Sequence, residues 1–450
     1  MTSLLGDART LALEPGRVDA DAAAARSIFE KGWQLLDHLP ARSQRSAAER
    51  EKGRDVVDAM SDLCWRFCRT HRSELYDRLT EQRSRAVRVD ELVWRAAELW
   101  PGLVPTRDDV AAEAERMQAD KDGREIQQGL FVSQMLSDPD IGAHLISSML
   151  APTKAATNRV DELVERGSID LGTARVAIEG EVGYVYFKNP RYLNAEDDET
   201  LGPVETAIDL VLLHPDVNMG VLRGDPVEHP KYAGRRIFSA GINLTKIYHG
   251  KVSYLFYLVR DLGLVNKLYR GFARGDYRTN ESEPESTIEK PWVAVVEGFA
   301  IGGGCQLLLV VDYVIAEEGS YFNLPARKEG IIPGAANLRL PRFVGEGVAR
   351  EAIMFDRTFH VDDLDAKALI NEVHPRDELD AVLGRTVDNA VGSGMVSAAG
   401  NRRALRVQTE PLDVFRRYMA TYAREQAFCH LSEQLIENLE HHWKAKSRKL

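Results

Sequence analysis

The segment Pro291-Trp-Val-Ala-Val-Val-Glu-Gly-Phe-Ala-Ile-Gly-Gly-Gly-Cys-Gln-Leu-Leu-Leu309 constrains this chain more than any other. The apolar run after Pro291 reads as a buried strand, the three glycines as a turn, and the residues beyond as a helix. A strand that feeds a helix through so tight a turn belongs to parallel β–α–β construction. Glycines at a helix N-terminus leave N–H groups free with no side chain in the way, so the turn favours a negatively charged oxygen. A phosphate loop would need lysine and serine or threonine after the glycines, but Cys305 and Gln306 follow. A dinucleotide fingerprint counted from Gly302 would need glycine where Leu307 stands. A plain helix–strand packing turn is the remaining structural alternative.

The rest of the chain divides around this motif. At 450 residues, two or three structural units are expected. Residues 1–170 carry apolar residues at three-and-four spacing, broken by proline after Leu39, Trp100 and Ala151, and predict a helical N-terminal domain. Near Gly167 the period changes. Ala174–Lys188 alternates like two paired strands, and strands then alternate with helices through 171–385, the predicted α/β core. Residues 386–450 read as helical again, and 275–289 as a loop.

Charge and cysteine content narrow the partners. A formal net charge of -11 argues against duplex nucleic acid, which requires a basic footprint. No basic-then-apolar leader and no apolar run of about 18 residues is visible, so a cytoplasmic protein with no membrane partner is expected. The four cysteines form no CxxC pair, and Cys64 and Cys68, one helical turn apart, read as apolar packing.

A second motif, Arg236-Ile-Phe-Ser-Ala-Gly-Ile-Asn-Leu244, follows another strand of the same core. Together with VEGFAIGGGCQLLLVVDYVIAEEGSYFNLP and GIIPGAANLRLPRFVG it resembles the crotonase, or enoyl-CoA hydratase/isomerase, superfamily, over roughly Ala174 to Leu383. The resemblance implies an α/β, crotonase-like (ββα-repeat spiral) core with C-terminal trimerisation helices, and a homo-trimer or hexamer. It implies that the backbone N–H groups of Ile242 and Gly303 form an oxyanion hole for a thioester oxygen, each donor worth roughly 3–4 kcal/mol. It also implies coenzyme A contacts from Lys188, Arg191 and Leu193, from the backbone near Phe238 and Ala240, and from Ile301 and Gly302. Lys231, Arg235 and Arg236 could meet the phosphates; solvated surface charge explains these cations equally well.

The chain departs from the family where hydratases place two glutamates, at Gln306 and Ala326, neither of which can move a proton. Glu196 could bind or deprotonate a substrate hydroxyl and Arg260 could orient it; a helix-start carboxylate and a surface arginine are the bland alternatives. Ile301, Ile331, Ile332 and Leu324 supply an apolar floor, with Ile331 and Leu324 as the expected O2 pocket. This set of departures is similar to a dioxygenase branch of the superfamily from glycopeptide-antibiotic biosynthesis. That likeness implies oxidation of 3,5-dihydroxyphenylacetyl-CoA by O2 to 3,5-dihydroxyphenylglyoxylate and free coenzyme A, with no metal, flavin or haem. Other crotonase-type activities (thioesterase, isomerase, hydratase) and a non-catalytic acyl-CoA binder stay as alternatives. A metal-dependent oxygenase built on His360, Asp362 and His374 is a further one.

Overall fold

The computed structural model describes residues 2–273, 287–391 and 395–450, so most of the predicted 275–289 loop lies outside the described residues. Helices Val18–Asp37, Ala47–Leu79, Val89–Leu99, Ile126–Ser137 and Pro139–Met149 dominate the N-terminal part. The long helix Ala47–Leu79 opens on a capping box, in which Ser46 Oγ accepts from the Glu49 N–H and Glu49 accepts the Ser46 N–H at 2.8 Å. Cys64 and Cys68 are buried inside it. The apolar run 129–150, continuous in its periodicity, is two helices. Pro139 has no N–H to continue the first, and Asp138 caps the second by accepting from the Asp140 and Ile141 N–H groups at 3.1 Å each.

The core holds a seven-stranded sheet in the order Ser168–Asp170, Ala174–Glu179, Val182–Phe187, Met219–Gly224, Trp292–Val296, Tyr313–Glu317, Glu372–His374. The first three strands pair antiparallel, the remainder parallel. Met219–Gly224 and Trp292–Val296 are buried at every residue, as expected of parallel strands covered on both faces. After Val296 the chain turns at Gly298 (φ +75) and enters a three-stranded sheet in which Phe299–Ile301 runs parallel to Tyr321–Asn323. The glycine triplet emerges from the end of that strand.

The C-terminal helix Leu412–His430 packs along Ile126–Ser137. Ser133 Oγ donates to the Ala420 carbonyl at 2.6 Å, and a Cβ on Gly129 would lie 2.6 Å from the Ala423 carbonyl, so the two helices meet backbone to backbone. N- and C-terminal helices therefore share one hydrophobic core with the α/β region. Buried charge ties the same parts together: Lys267 Nζ lies 2.8 Å from both Glu205 and Asp209, and Arg88, at the start of Val89–Leu99, reaches Glu205 at 2.8 Å. Such charges persist in a core only when fully paired. No helix among the described residues is long and apolar enough to cross a membrane.

Candidate active site

Three loops converge at the ends of the parallel strands. Leu193 and Asn194 adopt left-handed backbone (φ +56 and +55), which turns the chain after Val182–Phe187. The Asn194 amide fixes that turn by donating to the carbonyls of Asp225 at 2.9 Å and Ile237 at 2.7 Å. Glu196 then pairs with the second loop: its N–H donates to the Gly241 carbonyl at 2.7 Å and its carbonyl accepts the Asn243 N–H at 2.8 Å. In this parallel bridge Ile242 sits between the two bonds, so its own N–H points away from Glu196.

The second and third loops are joined in the same way, through the Ile301 N–H donating to the Ser239 carbonyl at 3.0 Å. Gly241 (φ +78) is required there, because a Cβ would lie 2.6 Å from the Ile301 carbonyl oxygen and 3.2 Å from the Gly303 nitrogen. Gly303 opens the helix Gly303–Leu308, so its N–H has no intrahelical acceptor. Among the described residues neither the Ile242 nor the Gly303 N–H donates across the loops, and both groups line one cavity. Two fixed and unused donors side by side are what a developing oxyanion needs.

Arg260 locks this arrangement. It begins a π-turn, Arg260–Leu264, that interrupts the helical run from Leu255 to Arg270, and such turns re-aim side chains at functional sites. The guanidinium is buried and donates to Glu196 Oε2 at 2.9 Å, Gln306 Oε1 at 2.8 Å and the Gly303 carbonyl at 2.9 Å. Burial works against its charge, but Glu196 and Asp261 outweigh it and hold its pKa above the usual value. Gln306 Oε1 accepts from Arg260, so the donor this amide has to offer is its NH2. A methyl on Gly303 would collide with Glu196 Oε2, which puts the carboxylate directly against the glycine turn.

The cavity thus gathers Glu196, Ile242, Arg260, Gly302, Gly303 and Gln306, with Leu324 and Ile331 on its apolar side. A second hollow lined by Phe187, Lys188, Ser239 and Phe256 shares Glu196 with it. The residues expected around coenzyme A lie at the rim and beyond. Lys188 pairs with Asp170 at 2.6 Å, and Arg191 is exposed beside Tyr192. Arg235 is committed to both oxygens of Glu317 at 3.0 Å, and Arg236 reaches the Gly224 carbonyl and Asp225. The Ala240 N–H donates to the Leu193 carbonyl at 3.1 Å and the Phe238 N–H to that of Glu297 at 3.1 Å, while Lys231 lies 5.0 Å from the Tyr232 ring.

Sequence reasoning missed several groups that line the cavity. Glu329 is only 4% exposed, and burial, reinforced by Asp356, pushes its carboxyl up to about 8. Asp261 follows Arg260 on the π-turn and is likewise raised, chiefly by burial. Tyr422 and Pro333 close the cavity from the C-terminal side, where Gln426 accepts the Ile332 N–H at 2.8 Å. The only available signal was Glu329's place as the single acid between Leu324 and Pro333. Of the residues weighed for a metal, His374 binds Glu372 at 2.8 Å, and no cluster of three or more His, Cys, Asp or Glu suited to a metal occurs among the described residues.

Residues 279–418 match the family described as Enoyl-CoA hydratase/isomerase. Over 94% of its length the chain is 44% identical to (3,5-dihydroxyphenyl)acetyl-CoA 1,2-dioxygenase of Amycolatopsis orientalis, covering 95% of that protein. It is 28% identical to crotonyl-CoA hydratase of Syntrophomonas wolfei over 45% of this chain and 68% of the relative. A crystal structure of an enoyl-CoA hydratase from Mycobacterium avium subsp. paratuberculosis aligns with a TM-score of 0.49 at 20% identity, over 62% of this chain and 99% of that one. With two loops that leave paired N–H donors free and near full-length identity to a coenzyme A thioester enzyme, the chain belongs to the crotonase, or enoyl-CoA hydratase/isomerase, family.

Proposed function

We infer that this protein is a dioxygenase that converts 3,5-dihydroxyphenylacetyl-CoA and O2 to 3,5-dihydroxyphenylglyoxylate and free coenzyme A, using no metal or organic cofactor. The observation that carries the reading is the 44% identity over 94% of the chain to an enzyme of that name. The site supports it. Gln306 and Ala326 stand where hydration needs carboxylates, while the oxyanion donors are kept. The Ile242 and Gly303 N–H groups hold the thioester oxygen as an α-proton leaves and charge develops on it. Glu196 and Arg260, bonded to each other at 2.9 Å, meet one ring hydroxyl, and the Gln306 amide donates to the aryl end.

The dihydroxyphenyl enolate is electron-rich enough to give one electron to O2. Recombination forms a Cα–O bond. The terminal peroxide oxygen then attacks the thioester carbon and expels coenzyme A as thiolate. Cleavage of the O–O bond with loss of the second α-proton leaves the ketone and carboxylate, so both oxygen atoms enter one product. Leu324 and Ile331 give O2 an apolar approach. Lys188 and Arg191 meet the coenzyme at the rim, and the chain assembles as a trimer or a dimer of trimers, as is usual in the family. Turnover under ¹⁸O2, with the product reduced at once to hold its keto oxygen, is expected to place two labelled atoms in each product molecule. Unlabelled 3,5-dihydroxyphenylacetate would identify a thioesterase instead.

A further inference from the structure

Glu329 ends the short helix Ala326–Glu329, three residues after the alanine that stands where hydratases carry a glutamate. Residues three apart share a helix face, so this chain regains a carboxyl on the same wall one turn further on. The carboxyl lies against the glycine turn, since a Cβ on Gly302 would be 3.8 Å from Glu329 Oε1. The next N–H along that turn is the oxyanion donor of Gly303. Among the described residues no side chain pairs with Glu329, and no hydrogen-bond donor reaches its oxygens. Glu196, in contrast, is held by Arg260 at 2.9 Å.

We propose that Glu329 is the base that removes the α-proton of the bound thioester, an assignment that rests on the dioxygenase reading above. The α-C–H bond breaks, its electron pair enters the enolate held by Ile242 and Gly303, and the proton goes to a Glu329 oxygen. A carboxylate with no cation or donor to stabilise it keeps a high proton affinity, and burial raises this one to about 8, far better matched to a carbon acid than an ordinary glutamate. The titratable groups around it are consistent with that. Asp356 lies on the flank and is itself neutralised by Arg327 and Lys328; Tyr257, raised well above its usual value, faces it; Glu196, Arg260, Asp261 and Tyr422 line the rest of the cavity.

The test is exchange of the α-protons of 3,5-dihydroxyphenylacetyl-CoA into D2O without O2, followed by mass spectrometry on the wild type and on E329Q, E329D and E196Q. Wild-type exchange is expected to rise with pH and level off above about 8. E329Q should lose about 10²–10⁴-fold with no pH dependence while its Kd for the thioester stays near wild type, and E329D should retain part of the rate. Glutamine still donates hydrogen bonds, so a merely binding or structural carboxyl would leave exchange intact in E329Q. E329Q exchanging within threefold of the wild type, or a wild type that consumes O2 with no exchange, overturns the assignment. A wild type that exchanges through Glu329 but consumes no O2 would overturn the dioxygenase reading alone.

Discussion

Replacing Arg260 with methionine keeps most of the side-chain volume and removes a guanidinium that is 3% exposed and bonded to Glu196, Gln306 and the Gly303 carbonyl at 2.8–2.9 Å. Removing one partner of a buried ion pair costs about 3–5 kcal/mol, because the other charge is left without compensation. Glu196 is that charge, with its side chain 16% exposed. In the native fold R260M should therefore lower thermal stability clearly, and R260M/E196Q should regain part of the loss although it deletes a second native group. Activity should not recover with it. Arg260 anchors Gly303 directly and, through Glu196, the loop that carries Ile242, so its removal should loosen both N–H groups proposed to hold the thioester oxygen. Loss of one such donor costs about 2.7–4 kcal/mol, or 10²–10³ in kcat. R260K, with one ammonium for three acceptors, should fall between R260M and wild type. Thermal melts and steady-state O2 uptake on the four proteins decide the matter. R260M within threefold of wild-type kcat, or a double variant no more stable than R260M, would refute the reasoning.

G303A should fold and lose most activity, because the added methyl meets Glu196 Oε2 and lies 2.9 Å from Arg260 Nη2; coenzyme A ester binding and O2 uptake check it. I331W, which fills part of the apolar wall of the cavity, should raise the KM for O2 by more than it raises the Kd for the thioester, as read from O2-dependent kinetics and a separate binding titration. Stability should also report the Glu329 carboxyl. Its folded-state pKa lies above the ordinary 4.5, so folding favours the protonated form, stability is full below about 4.5, and it declines as pH rises toward about 8. E329Q should accordingly be the more stable protein near pH 9, by on the order of 3–5 kcal/mol, and melts of both across that range test it. Glu410 has the opposite sign. Arg339, Arg270 and Arg342 overcome its burial and hold it at about 2, so its contribution is complete above about 4.5 and is lost as pH falls toward 2; E410Q melts should show a weaker acid dependence.

How much of this was legible depended on whether a property is carried by backbone or by side-chain approach. The glycine triplet and the Phe238–Leu244 turn announce themselves because only glycine admits the contact between Gly241 and Ile301, and such constraints are local in sequence. Parallel strands such as Trp292–Val296 declare their burial through unbroken apolar runs. Arg260 could be singled out only as a candidate, since its three acceptors come from segments 43 to 64 residues away and its direction is set by a π-turn with no periodic signature. Nothing local in LPARKEGIIP marks Glu329 as buried. It is buried by the C-terminal helix Glu433–Trp443, which packs on Ala326–Glu329 from more than 100 residues along the chain. The split at Asp138-Pro139 went unseen for a simpler reason: apolar periodicity runs through it, and the capping chemistry outweighs the period.

The most direct test of the account is simultaneous measurement of O2 uptake and thiol release by the full-length protein given 3,5-dihydroxyphenylacetyl-CoA after exhaustive treatment with a metal chelator. One O2 consumed for each coenzyme A released, at a rate unchanged by the chelator, is the predicted result. Thiol release without O2 uptake, or O2 uptake that disappears with the chelator and returns with iron, would contradict it.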